Sequence, residues 1–143
     1  MNTWQLWALG AAFFAGLTAI LAKLGVAGVN SHVATAIRTT VVLVLTWGIA
    51  WRVTDGLSLG EIPRRTWGLL ALSGAATGLS WLCYFRALQL GDVSRVAAVD
   101  KLGVVFAIVL AGLVLHERIT WQHWLGGGLI VAGVLVLGWR NPA

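Results

Sequence analysis

Apolar stretches of about twenty residues recur five times along this 143-residue chain and leave little room for anything else. They cover about 4–25, 32–53, 67–90, 94–115 and 121–139. A bilayer's hydrocarbon core is about 30 Å thick and an α-helix rises about 1.5 Å per residue, so one crossing takes roughly 20 mostly apolar residues. The expected fold is an all-α integral membrane protein with five transmembrane helices in a single domain. Composition agrees, since 59% of residues are hydrophobic and only 10% charged, against about a quarter charged in soluble domains. A soluble fold of this size has too little interior to hide that apolar surface. Met1 to Trp4 carry no charge and the run behind them is long enough to span, so the first stretch is expected to stay in the mature protein rather than act as a leader.

The connections carry turn and cap signals. Val29 to Ser31 reads as a turn with Ser31 as N-cap, and Gly91-Asp92 as another with Asp92 or Ser94 capping the next helix. The window 54–66 holds Asp55, Gly56, Glu61, Pro63, Arg64 and Arg65 and is the longest connection; 116–120 is the last. Pro63 and Pro142 both fall outside the stretches, which agrees with uninterrupted helices. The tryptophans test the count. With strict alternation, Trp4, Trp7, Trp47, Trp51, Trp67, Trp121 and Trp124 all fall near the face that bears the N-terminus, and only Trp81 and Trp139 lie elsewhere. Tryptophan favours the headgroup level, and a miscounted helix would scatter that girdle.

Lys23, Arg38, Arg86, Asp100 and Lys101 fall within about two turns of the opposite face, at most roughly 10 Å deep. Ionisable groups at such a depth are costly unless they face an interior or a wet cavity. For the lysines and arginines, snorkelling to the headgroups is the competing explanation. Asp100 is too short for that and is expected to pair with a base on another helix, with Lys101 pointing about 100° away. Four bases against one acid leave a positive surplus, which favours an anionic or zwitterionic ligand over a lipophilic cation. Trp81, Tyr84 and Phe85 share a helix face next to Arg86 and form either a cavity wall or ordinary packing. The candidate substrate-binding residues are therefore Lys23, Arg38, Trp81, Tyr84, Arg86, Asp100 and Lys101. Small residues recur at four-residue spacing, densest at Gly126 to Gly128, which makes the fifth stretch a candidate dimer contact.

Other chemistries find no support. The ten Lys and Arg are scattered rather than gathered into a nucleic-acid-binding face. Cys83 is the lone cysteine, and His32, His116 and His123 lack metal-ligand spacing. No nucleophile–base pair, phosphate loop or cofactor motif is present, so neither an enzyme nor a cofactor is expected.

Four ordered blocks, WLCYFRALQLGD (81–92), SRVAAVDKL (94–102), HERITW (116–121) and LGGGLIVAG (125–133), resemble the EamA-like domain of the drug/metabolite transporter superfamily. The likeness extends over essentially the whole chain. Two positions depart from it: Ala98 stands where relatives often have Pro, removing a kink from the fourth helix, and His116 where Gly commonly precedes the Glu. The resemblance implies a ten-helix carrier of the bacterial inner membrane built from two such domains in inverted orientation, of which this chain is one half. An odd number of spans means that the missing half must be upside down: a second copy inserted the opposite way, or a different half-length chain. Lysines and arginines number four near the N-terminal face (Arg52, Arg64, Arg65, Arg118) and six near the other (Lys23, Arg38, Arg86, Arg95, Lys101, Arg140). Without the deeper Arg38, Arg86 and Lys101 the order reverses, a bias weak enough for dual insertion. The functional expectation is an exporter of small polar metabolites, anionic or zwitterionic such as amino acids, acting as an antiparallel homodimer. The alternatives are a non-transporting membrane subunit and a half-transporter with a different partner.

Overall fold

The computed structural model describes residues 3–54 and 59–138; Asp55, Gly56, Trp139, Arg140 and Pro142, all read above from the sequence, lie outside them. The helices are α1 (Thr3–Val26), α2 (Ser31–Val53), α3 (Arg64–Leu90), α4 (Val93–Asp100), α5 (Leu102–Val114) and α6 (Trp121–Gly138), with a 3₁₀ turn at Leu59–Glu61. Five helical stretches are long and apolar enough to cross a membrane, α4 and α5 counting together as Val93–Val114. They run from 18 to 27 residues, or about 27 to 40 Å. Apolar side chains cover their outer surfaces: Phe13, Leu43, Leu72, Phe106 and Leu135 are all exposed, as are all seven tryptophans of the expected girdle. In hydrocarbon such exposure carries no penalty, and helices associate through packing and polar contacts instead.

The chain divides into two units, one of residues 21–89 and one of residues 1–20 with 90–143. In the first, α1 hands over to α2 through a turn where Gly28 takes the left-handed φ of 76°, a conformation glycine adopts without steric cost. The N-cap is Asn30 rather than the expected Ser31: its side chain accepts from the His32 N–H at 2.9 Å, while Ser31 opens the helix and is buried. Two long-range bonds fasten this corner to the end of α3. Lys23 Nζ donates to the Leu88 carbonyl at 2.6 Å, and Gln89 Nε2 donates to the Val29 carbonyl at 2.6 Å. Leu88 belongs to the last turn of α3, where carbonyls lack partners in the helix and a cation suits the helix dipole. Leu88 and Phe85, three residues apart, are buried at the same place. α3 begins at Arg64, earlier than its apolar run, because Pro63 can precede the first turn and its carbonyl accepts from the Trp67 N–H.

In the second unit α6 packs against α4 and α5. Its buried positions are Gly127 and Val134, seven residues apart and so on one stripe; the middle glycine of the triple is thus used inside the chain. The fourth stretch is not the single helix expected from the absence of proline. It breaks at Lys101 (φ −67°, ψ −13°), whose N–H bonds back three residues to Ala98 and whose carbonyl accepts from Val104 three residues on. Such i to i+3 bonding is a tightened turn within a span. Asp92 occupies the N-cap of α4, but its carboxylate pairs with Arg95 (3.6 Å) rather than capping. Ahead of α6, the Thr120 N–H donates to His123 Nδ1 at 3.1 Å, the reciprocal half of a capping box with imidazole in the usual place of glutamate.

α5 ends on His116, which takes φ 54°, and the Glu117 N–H returns to the Ala111 carbonyl. A left-handed residue after a helix is the place for glycine, which explains the glycine at this position in the resembling family. A side chain there costs about 1–2 kcal/mol, less what the stiffer unfolded chain returns. His116→Gly is expected to raise stability by about 1 kcal/mol, read as a higher midpoint of thermal unfolding in detergent micelles.

Candidate functional site

α2 and α3 bring an arginine onto an aromatic wall. Ser31, Thr35 and Arg38 follow steps of four and three, so they share one face of α2; Ser31 and Thr35 are buried and Arg38 is half-buried. Thr35 Oγ1 donates to the Ser31 carbonyl at 2.8 Å, Thr39 to Thr35 at 2.8 Å and Thr46 to Val42 at 2.8 Å, so these hydroxyls spend their protons on their own helix. On α3, Trp81, Phe85 and Leu88 form the facing stripe. The Arg38 guanidinium carbon stands 4.0 Å from the Trp81 ring centroid and 5.6 Å from that of Phe85. Both lie within cation–π range. Tyr84 is half-buried one turn from Trp81.

The base over the wall is therefore Arg38, from another helix. Arg86, expected beside the aromatics, is exposed and donates to Gln89 Oε1 at 3.0 Å. Lys23 is engaged with the Leu88 carbonyl. Gln89 went unnoticed in the sequence, yet it links Arg86 to the Val29 carbonyl; a primary amide at the end of an apolar helix was the available signal. Asp100 and Lys101 belong to the other unit, at the break between α4 and α5. They pair with each other, Nζ to Oδ2 at 3.4 Å, both side chains exposed. This corrects the expected pairing of Asp100 with another helix: the turn at Lys101 departs from helical ψ, and the four-carbon stem reaches back to the neighbouring carboxylate. Among the described residues neither Arg38 nor Arg86 forms an ion pair.

A guanidinium in cation–π contact with an indole can still donate N–H bonds to a carboxylate or phosphate.

Residues 2–139 match the EamA-like transporter family. This chain is a member of that family. An EamA relative from Sinorhizobium sp., named "Uncharacterized transporter in cobO 3'region", is 51% identical over 136 residues, covering 95% of this chain and 96% of the relative. "Probable 4-amino-4-deoxy-L-arabinose-phosphoundecaprenol flippase subunit ArnE" of Enterobacter sp. (strain 638) is 35% identical over 75 residues, 52% of this chain and 70% of its own length. The protein of the same name from Pseudomonas fluorescens (strain Pf0-1) is 35% identical over 91 residues, 64% of this chain and 77% of its own length. No solved structure matches. With five candidate spans and bacterial EamA relatives, the chain is a multi-pass protein of the bacterial inner membrane.

The contact between Arg38 and Trp81 is open to a double-mutant cycle. Arg38→Met, Trp81→Leu and the pair together, unfolded in mixed micelles, are expected to show a coupling of about 1 kcal/mol; additive effects would mean that the two side chains do not interact.

Proposed function

We propose that this EamA-family chain is half of a transporter for small anionic or zwitterionic metabolites, amino acids among them, and that it exports them. The observation that carries this reading is the half-buried Arg38 stacked on Trp81, with Phe85 beside it and no carboxylate partner among the described residues. A cation held in that way inside a span is expensive unless it meets an anion. Tyr84 and Arg86 sit on the same segment of α3 and extend the site; Lys23 supports it from the end of α1. The Asp100–Lys101 pair at the break of the fourth span serves the cycle separately, as a place where one charge can be exchanged for a proton. The chain acts as a carrier and not as an enzyme.

An odd number of spans leaves the two ends on opposite sides, and inverted-repeat carriers need two such halves related by an axis in the membrane plane. The proposed assembly is an antiparallel homodimer of dually inserted copies. A second reading draws on the names of the ArnE relatives, in which the protein is a flippase subunit and the cargo a phosphate-linked lipid. By that reading this chain pairs with a different half-length partner, and the anion at Arg38 is a phosphodiester.

Two measurements separate these. In proteoliposomes containing this chain alone, amino-acid flux is expected, and Arg38→Gln is expected to lower it at least about tenfold, the equivalent of losing one charge-assisted hydrogen bond. Unchanged flux in correctly folded Arg38→Gln, Arg86→Gln and Asp100→Asn would remove the site. Single cysteines placed in the 54–66 connection of a Cys83→Ala background are expected to react with an impermeant label from both sides of the membrane. Labelling from one side only would sink the homodimer and leave the heteromeric reading.

A further inference from the structure

About 21 Å along α2 from Arg38, by its fourteen-residue separation from Arg52, lies a groove outside the candidate site. It is open, has a volume of about 550 Å³, and is lined by Trp47, Gly48, Trp51 and Arg52. The four positions follow steps of one, three and one, so they occupy one side of the last two turns of α2. Gly48 carries no side chain, and the space beside it is open: a Cβ added there meets nothing within 4 Å. Both tryptophans are exposed, at 46% and 75%, and Arg52 forms no ion pair among the described residues.

We propose that this groove binds the headgroup of an anionic phospholipid, with the monoanionic phosphodiester on the Arg52 guanidinium and the glycerol backbone in the open space beside Gly48, between the two indoles. Arginine takes a phosphate through paired N–H donors. Indole rings favour the depth at which the glycerol region of a lipid lies. One basic residue near a charged surface contributes roughly a fivefold preference for an anionic lipid. The Arg52 charge disfavours the choline cation of a zwitterionic lipid and so selects an anionic one.

The test is lipid retention by the full chain, purified in a non-ionic detergent and supplied with phosphatidylglycerol or phosphatidylcholine of the same acyl chains, read by native mass spectrometry. Wild type is expected to retain phosphatidylglycerol about fivefold over phosphatidylcholine. Arg52→Gln is expected to bring the two lipids to parity, Arg52→Lys to keep most of the preference, and Gly48→Leu to lower retention of both lipids. Gly48→Leu projects into open space and tests the seat of the glycerol backbone even if Arg52→Gln does not fold. Parity in wild type, or undiminished lipid retention in Gly48→Leu, overturns the proposal. Displacement of the lipid by millimolar inorganic phosphate also overturns it, because the site then reads a free anion. So does a Gly48→Cys variant (in Cys83→Ala) that cross-links between copies regardless of lipid, because the groove is then covered by a second chain.

Discussion

The bilayer core offers no water, and every polar group that enters it must find its partner in the protein. The whole arrangement follows from this. Backbone groups are satisfied within helices, and the threonine hydroxyls of α2 return their protons to carbonyls one turn back. The charged groups solve the same problem in different ways. Lys23 takes a carbonyl at a helix end, Arg38 takes an indole face, Arg86 takes an amide and Lys101 takes the adjacent carboxylate. Of these four, Arg38 alone meets aromatic rings rather than an oxygen acceptor.

The same constraint sets how the helices are joined. A helix end leaves carbonyls without partners, and the structure meets one such need with a lysine from α1 and stitches the α1–α2 turn to α3 with Gln89. Where a turn demands a left-handed residue, Gly28 supplies it without strain and His116 with some. The break at Lys101 needs no proline; three-residue hydrogen bonding on either side keeps the backbone paired while the helix is interrupted. The break falls on Lys101, the second of two adjacent ionisable residues.

Membership of the EamA-like transporter family accounts for the class of protein, and its relatives name transport and lipid flipping. What the geometry adds is a division of labour among bases that composition treats alike. Of the four cations that the charge pattern grouped together, one stacks on aromatics, one anchors a helix end, one bonds a glutamine and one neutralises its neighbour. Helix length and alternation group them near one face as an expectation. Their separate partners are not visible in the sequence, because a contact between residues 38 and 81 depends on how α2 and α3 turn toward each other.

By itself the sequence determined the class, the number of crossings and the position of the tryptophans at helix ends, since these depend on local hydropathy and on a rise per residue that tertiary context does not alter. It also carried the family, through ordered blocks of residues. Tertiary structure alone decided that Arg38 rather than Arg86 meets Trp81, that Asp100 keeps Lys101, that Asn30 and His123 serve the helix starts and that the fourth span breaks. The contact at Trp81 joins residues far apart in the chain, and the others turn on side-chain direction and hydrogen bonding over one to three residues; hydropathy carries no information about either.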